Sequence, residues 1–116
     1  MSGPNGRINY VELPVRGDYA AAKAFYRDSF GWALTDFGPD YASTMTGDVD
    51  LGLNGDPAQL TDAPLAVVAV DDIEAAQARV EAAGGTITLP IFAFPGGRRF
   101  HVRDPGGCEI AVMQAD

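Results

Sequence analysis

The chain has 116 residues, of which 47% are hydrophobic and 21% charged, the size and balance of one globular domain with its own core. Its net charge of −8 disfavours nucleic acid, because the only basic cluster is Arg98, Arg99 and Arg103. No apolar run approaches the roughly 18 residues of a membrane span, and from the polar opening Met-Ser-Gly-Pro-Asn-Gly-Arg no secretory signal is expected. Cys108 stands alone, so no internal disulfide is possible and a cytoplasmic location is expected.

Residues 8–15 alternate as a strand, with Val11, Leu13 and Val15 on one face and Tyr10, Glu12 and Pro14 on the other. Asp18 suits a helix N-cap. Ala22, Phe25, Tyr26 and Phe30 follow at helical spacing, and Gly31 suits the left-handed stop. Phe25, Tyr26, Phe30 and Trp32 are expected in the core between helix and sheet. Short strands are predicted at residues 32–37, 41–46 and 48–53, separated by Gly38-Pro39-Asp40 and by Gly47. Residues 54–64 have the composition of a linker.

The second half repeats this plan. Residues 65–70 read as a strand, and Asp71 with Glu74 reads as a capping box. Ile73, Ala76, Val80 and Ala83 form the expected buried helix stripe, ended by Gly84-Gly85. Strands follow at residues 86–92, 98–103 and 108–114, with Pro95-Gly96-Gly97 and Asp104-Pro105-Gly106-Gly107 as turns. Both helical stretches run thirteen steps from the capping Asp to the terminating Gly. An internal repeat sets architecture before any single residue does. The expected fold is α+β, two βαβββ modules in tandem whose curved mixed sheets enclose a cavity. Module one spans residues 8–53 and module two residues 65–114 of a single domain.

Three stretches carry a family resemblance. They are Val11-Glu12-Leu13-Pro14-Val15 with Asp18, Phe25-Tyr26 and Phe30-Gly31-Trp32; Val68-Ala69-Val70-Asp71-Asp72 with Ala82-Ala83-Gly84-Gly85; and Asp104-Pro105-Gly106-Gly107 with Glu109-Ile110. In their order and spacing the chain resembles the vicinal oxygen chelate superfamily, which includes glyoxalase I, bleomycin resistance proteins and extradiol dioxygenases. The resemblance implies, for metal-dependent members, a His on the first strand and a Glu on the last strand of each module. Those positions match Tyr10, Leu65 and Ala111, with the remaining one near Asp50. Leu65 and Ala111 offer no donor, so no metal site and no cofactor is expected.

The pleat directs Arg99, His101 and Arg103 away from Phe100 and Val102, and Glu109, Ala111 and Met113 away from Ile110 and Val112. The expected ligand contacts are Tyr10, Glu12, Leu65, Arg99, His101, Glu109, Ala111 and Met113. Glu12 and Glu109 serve ligand contact or structural pairing with arginine equally well. His101 reads as a ligand contact, an acid–base group or a strand histidine bonded across the sheet. Cys108 is expected to pack as a small buried hydrophobe.

Two functions follow as expectations. The first is metal-independent binding of a small molecule in the cavity, by a monomer or by a homodimer formed through residues 32–46. The alternative is a lyase, isomerase or dioxygenase, in which His101 with Glu12 or Glu109 forms an acid–base pair or a displaced metal site. A third reading is an interaction module whose cavity is filled by Tyr10, Leu65 and Met113.

Overall fold

The computed structural model describes residues 5–116; Met1–Pro4 of the polar N-terminal stretch lie outside the described residues. The elements are β1 (Arg7–Pro14), α1 (Tyr19–Phe30), β2 (Thr35–Asp36), β3 (Tyr41–Ser43), β4 (Asp50–Asn54), β5 (Leu65–Ala69), α2 (Ile73–Ala82), β6 (Thr86–Phe94), β7 (Gly97–Arg103) and β8 (Glu109–Ala115). The fold is α+β, with βαβββ written twice. Two compact units form, one over Tyr10–Leu65 and one over Ala66–Asp116 with residues 5–9. They are called modules one and two below.

In module one the strand order is β2-β3-β4-β1, with β1 parallel to β4 and the other pairs antiparallel. In module two the order is β6-β7-β8-β5, with β5 parallel to β8 and the other pairs antiparallel. The repeat is therefore topological as well as textual. Strands 2 and 3 are shorter than the sequence suggests, because residues 32–34 and 44–46 carry no strand pairing.

Both helices start on an aspartate. Asp18 Oδ1 accepts the Ala21 N–H at 3.0 Å, and Asp72 Oδ1 accepts the Ala75 N–H at 3.0 Å. The second cap lies one residue beyond the expected Asp71, and Glu74 pairs with Arg98. Gly31 closes α1 at φ 71°, donating its N–H to Arg27 O at 2.8 Å. A side chain there would be strained, which is why the helix stops on glycine.

The core of module two lies between α2 and one face of its sheet. Ile73 and Ala76 pack with Val70, Phe100, Val102 and Val112, and Val68, Val80, Ile87, Ile91 and Ile110 line its margin. Gln114 Oε1 accepts the Ile73 N–H at 2.9 Å, tying the first turn of α2 to β8. Ala83 is exposed, so the buried stripe is shorter than expected.

Module one is built differently. Leu53 and Ala42, register partners on β4 and β3, are fully buried, yet α1 has no buried residue. Phe25 is 57% and Phe30 60% exposed, which corrects their expected place in the core. With Tyr26 and Trp32 they form a cluster of edge-on and stacked rings, centroids 5.1–6.5 Å apart. The rings bury against one another, which recovers part of the apolar gain. Tyr19 anchors the helix by donating to Leu53 O at 3.1 Å, over Gly55, where a Cβ would stand 2.7 Å from its ring.

Candidate functional site

Module one carries a buried carboxylate. Glu12, on β1, is 3% exposed. Its Oε2 accepts the Tyr41 hydroxyl at 2.9 Å and its Oε1 accepts Asn54 Nδ2 at 3.0 Å. The Tyr10 and Tyr41 hydroxyls meet at 2.6 Å. Strand register explains the assembly: Glu12 faces Gly52 across β1–β4, and Gly52 faces Ser43 across β4–β3. Tyr10 and Tyr41 reach from opposite sides over the bare backbone of Gly52. A Cβ there would overlap the Tyr10 hydroxyl and stand 2.5 Å from that of Tyr41. Burial first, then the charge of Glu12, holds the Tyr41 phenol well above its ordinary pKa.

Asp50, on the same strand, is engaged elsewhere. Its Oδ1 accepts the Thr44 hydroxyl at 2.8 Å, the Thr46 N–H at 2.7 Å and the Thr46 hydroxyl at 2.9 Å, and its Oδ2 accepts the Gly47 N–H at 3.0 Å. Burial alone would raise its pKa, but these bonds outweigh it and lower the value below the ordinary carboxylate range. Its role is to close the β3–β4 turn.

Module two carries the basic counterpart. Arg99 and His101, 7% and 4% exposed, sit on β7 in the opposite phase to the core residues Phe100 and Val102. The Arg99 guanidinium lies 5.4 Å from the Phe92 ring centroid and 5.7 Å from that of Phe94. Two aromatic faces thus orient the cation. His101 Nδ1 lies 3.3 Å from Glu109 Oε2, which also accepts the Thr88 hydroxyl at 2.8 Å.

The expected contact residues divide between these sets. Tyr10 and Glu12 join through Tyr41, while Leu65, the first residue of β5, is a fully buried apolar side chain. In module two, register pairs His101 with Ala111 and Arg99 with Met113, and Glu109 reaches His101. Arg103 departs from its expected partners: it is exposed and donates to Gly107 O at 2.7 Å. Cys108 is exposed, not buried, because it lies on the turn before β8 begins. Tyr41, Asn54, Phe92 and Thr88 escaped sequence reasoning. Gly52 was the available signal, since a glycine inside a strand marks close approach of another group.

Leu65 and Ala111 have no ligating atom, Asp50 is held by its turn, and among the described residues no three His, Cys, Asp or Glu side chains converge. Nor is any helix among the described residues long and apolar enough to cross a membrane.

Comparison with known proteins agrees on the family. The model of the Glyoxalase/Bleomycin resistance protein/Dioxygenase superfamily matches residues 7–112. The CFP32 proteins of Mycobacterium bovis and Mycobacterium tuberculosis, which carry glyoxylase in their name, are 30% identical over 122 aligned residues. That match covers 96% of this chain and 46% of each relative, so the chain spans about half the length of the curated relatives it matches. The Mn(II)-bound glyoxalase of Novosphingobium aromaticivorans superposes with a TM-score of 0.70 at 26% identity, covering 96% of this chain and 39% of that one. Methylmalonyl-CoA epimerase of Mycobacterium tuberculosis superposes at 0.74 with 17% identity over 100% of this chain and 93% of its own, a likeness of fold. The repeated βαβββ plan and the match over residues 7–112 together place the chain in the glyoxalase/bleomycin resistance protein/dioxygenase superfamily.

Proposed function

We propose that the protein binds a small molecule without a metal ion. One observation carries the reading: ionisable side chains, Glu12, Arg99 and His101, are buried on strands in each module. A buried charge is costly unless paired and bonded, and a fold that retains several has polar chemistry to perform there. Tyr10 and Glu12 supply the polar contacts in module one. Arg99, His101 and Glu109 supply them in module two, with Phe92 and Phe94 as apolar wall. Few well-placed polar groups among aromatic ones are what small-molecule sites are made of. The absence of ligating atoms at Leu65 and Ala111 supports metal independence.

Elemental analysis of protein purified without chelators tests this, together with native mass spectrometry for a co-purified organic ligand. The expected result is no stoichiometric divalent ion and a bound small molecule that is lost in Arg99→Ala. A stoichiometric divalent ion would overturn metal independence.

A second reading is acid–base catalysis by His101, favoured by the contact of its Nδ1 with Glu109. The likeness to a glyoxalase at 26% identity points the same way. Turnover of any substrate by the wild type that survives unchanged in His101→Ala would remove it.

A further inference from the structure

We propose that Asn54-Gly55 is a deamidation site that the fold of module one keeps closed, so that its conversion records time spent unfolded and then blocks refolding. The chemistry needs only the chain and water. The Gly55 nitrogen attacks Asn54 Cγ, the new N–C bond forms as the Cγ–Nδ2 bond breaks, and Nδ2 leaves as ammonia with the Gly55 amide proton. Water then opens the cyclic imide at either carbonyl, giving aspartate or isoaspartate. Glycine after asparagine favours the attack, because no Cβ hinders the nucleophilic nitrogen.

The folded chain holds both reacting groups. Asn54 is 1% exposed. Its Nδ2 donates to Glu12 Oε1 at 3.0 Å, and its Oδ1 accepts the Asp56 N–H at 2.9 Å. The attacking nitrogen is held too, since Gly55 donates its N–H to Asp40 O at 2.8 Å beneath the Tyr19 ring. Asn54 O accepts the Val15 N–H at 2.8 Å, and its register partners are Pro14 and Tyr41. Attack therefore requires these bonds to open together. Conversion also destroys what held them. A carboxylate at position 54 loses the donor to Glu12 and sets like charges face to face in a buried place. Isoaspartate adds a methylene to the main chain where β4 lies between β1 and β3, which breaks the register. Asn5-Gly6 supplies a contrast within the same chain. Gly6 also donates its N–H, to Ala69 O at 2.6 Å, but the Asn5 side chain is exposed, its Oδ1 3.4 Å from the Asp71 nitrogen.

The wild-type protein, held at mildly alkaline pH in buffer or in guanidinium chloride and followed by peptide-mapping mass spectrometry, tests this. Asn54 should convert at least about a hundredfold more slowly in buffer than in denaturant, because reaction waits for the opened chain. In denaturant Asn5 and Asn54 should convert at similar rates, both being followed by glycine. A smaller slowing at Asn54 would overturn the protection. The partly converted denatured sample is then diluted and given a brief trypsin pulse. Chains converted only at Asn5 should resist digestion, whereas chains converted at Asn54 should be cut within module one. Equal resistance of the two populations would overturn the block to refolding.

Discussion

The two helices occupy the same place in the repeat and open on the same kind of cap, yet only α2 has buried residues. Ile73 and Ala76 of α2 disappear beneath Phe100 and Val112, while α1 turns Phe25 and Phe30 outward and relies on Tyr19 to reach β4. The contrast separates two kinds of information. A cap is a local bond between residues three apart, and a duplicated sequence preserves it easily. Packing depends on what residues far along the chain present, and the two halves have diverged there.

Several experiments would break or sharpen this contrast. The largest effect belongs to Phe100→Ala, expected to destabilise by about 3–5 kcal/mol in urea titration because it opens a cavity in the core of module two. Phe30→Ala, by contrast, should cost less than about 1 kcal/mol; an equal cost for the two would abolish the distinction. Next comes Gly52→Ala, for which overpacking against the tyrosine hydroxyls should cost about 1–3 kcal/mol. Thermal melts should show no comparable loss for alanine at the open Gly47 position beyond its backbone strain. Asp18→Ala and Asp72→Ala should each cost about 1 kcal/mol, alike in both modules despite the difference in packing.

The smallest effects are those of pH. Asp50 has a lowered folded-state pKa, so the stability it contributes is present above the ordinary carboxylate value and is lost as pH falls through the lowered one. Asp50→Asn should therefore flatten the acid limb of the stability profile and remove stability at neutral pH. Tyr19, raised to about 12 by burial and then by Asp36, behaves oppositely. Its contribution is present below the ordinary phenol pKa of 10 and is lost as pH rises through the folded value, so Tyr19→Phe should soften the alkaline limb. An unchanged alkaline limb in that variant would mean that Tyr19 is not held against β4.

What could be read from the sequence follows the same division. Asp18, Gly31, the hairpin turns and the strand phases around Phe100 and Val112 are local patterns, and the structure keeps them. The phase that separates Arg99 and His101 from Phe100 and Val102 came from the pleat alone. Burial of α1 was misjudged because apolar spacing says which residues share a face but not whether anything covers it. Tyr41 and Asn54 were missed because their partnership with Glu12 spans 29 and 42 residues and depends on the β1–β4–β3 register. Cys108 was misplaced by one residue of strand boundary, enough to put it on the turn.

Trp32 is the only tryptophan of the chain, and its indole lies nearly parallel to the Tyr26 ring, 3° apart in plane at 5.3 Å. Tryptophan emission from this protein is consequently a local reporter, sensitive to the seating of the α1 rings and silent about Phe100. An unfolding midpoint followed by fluorescence and one followed by amide exchange in β7 watch different modules. Their coincidence or separation measures how cooperatively the two halves of the repeat melt.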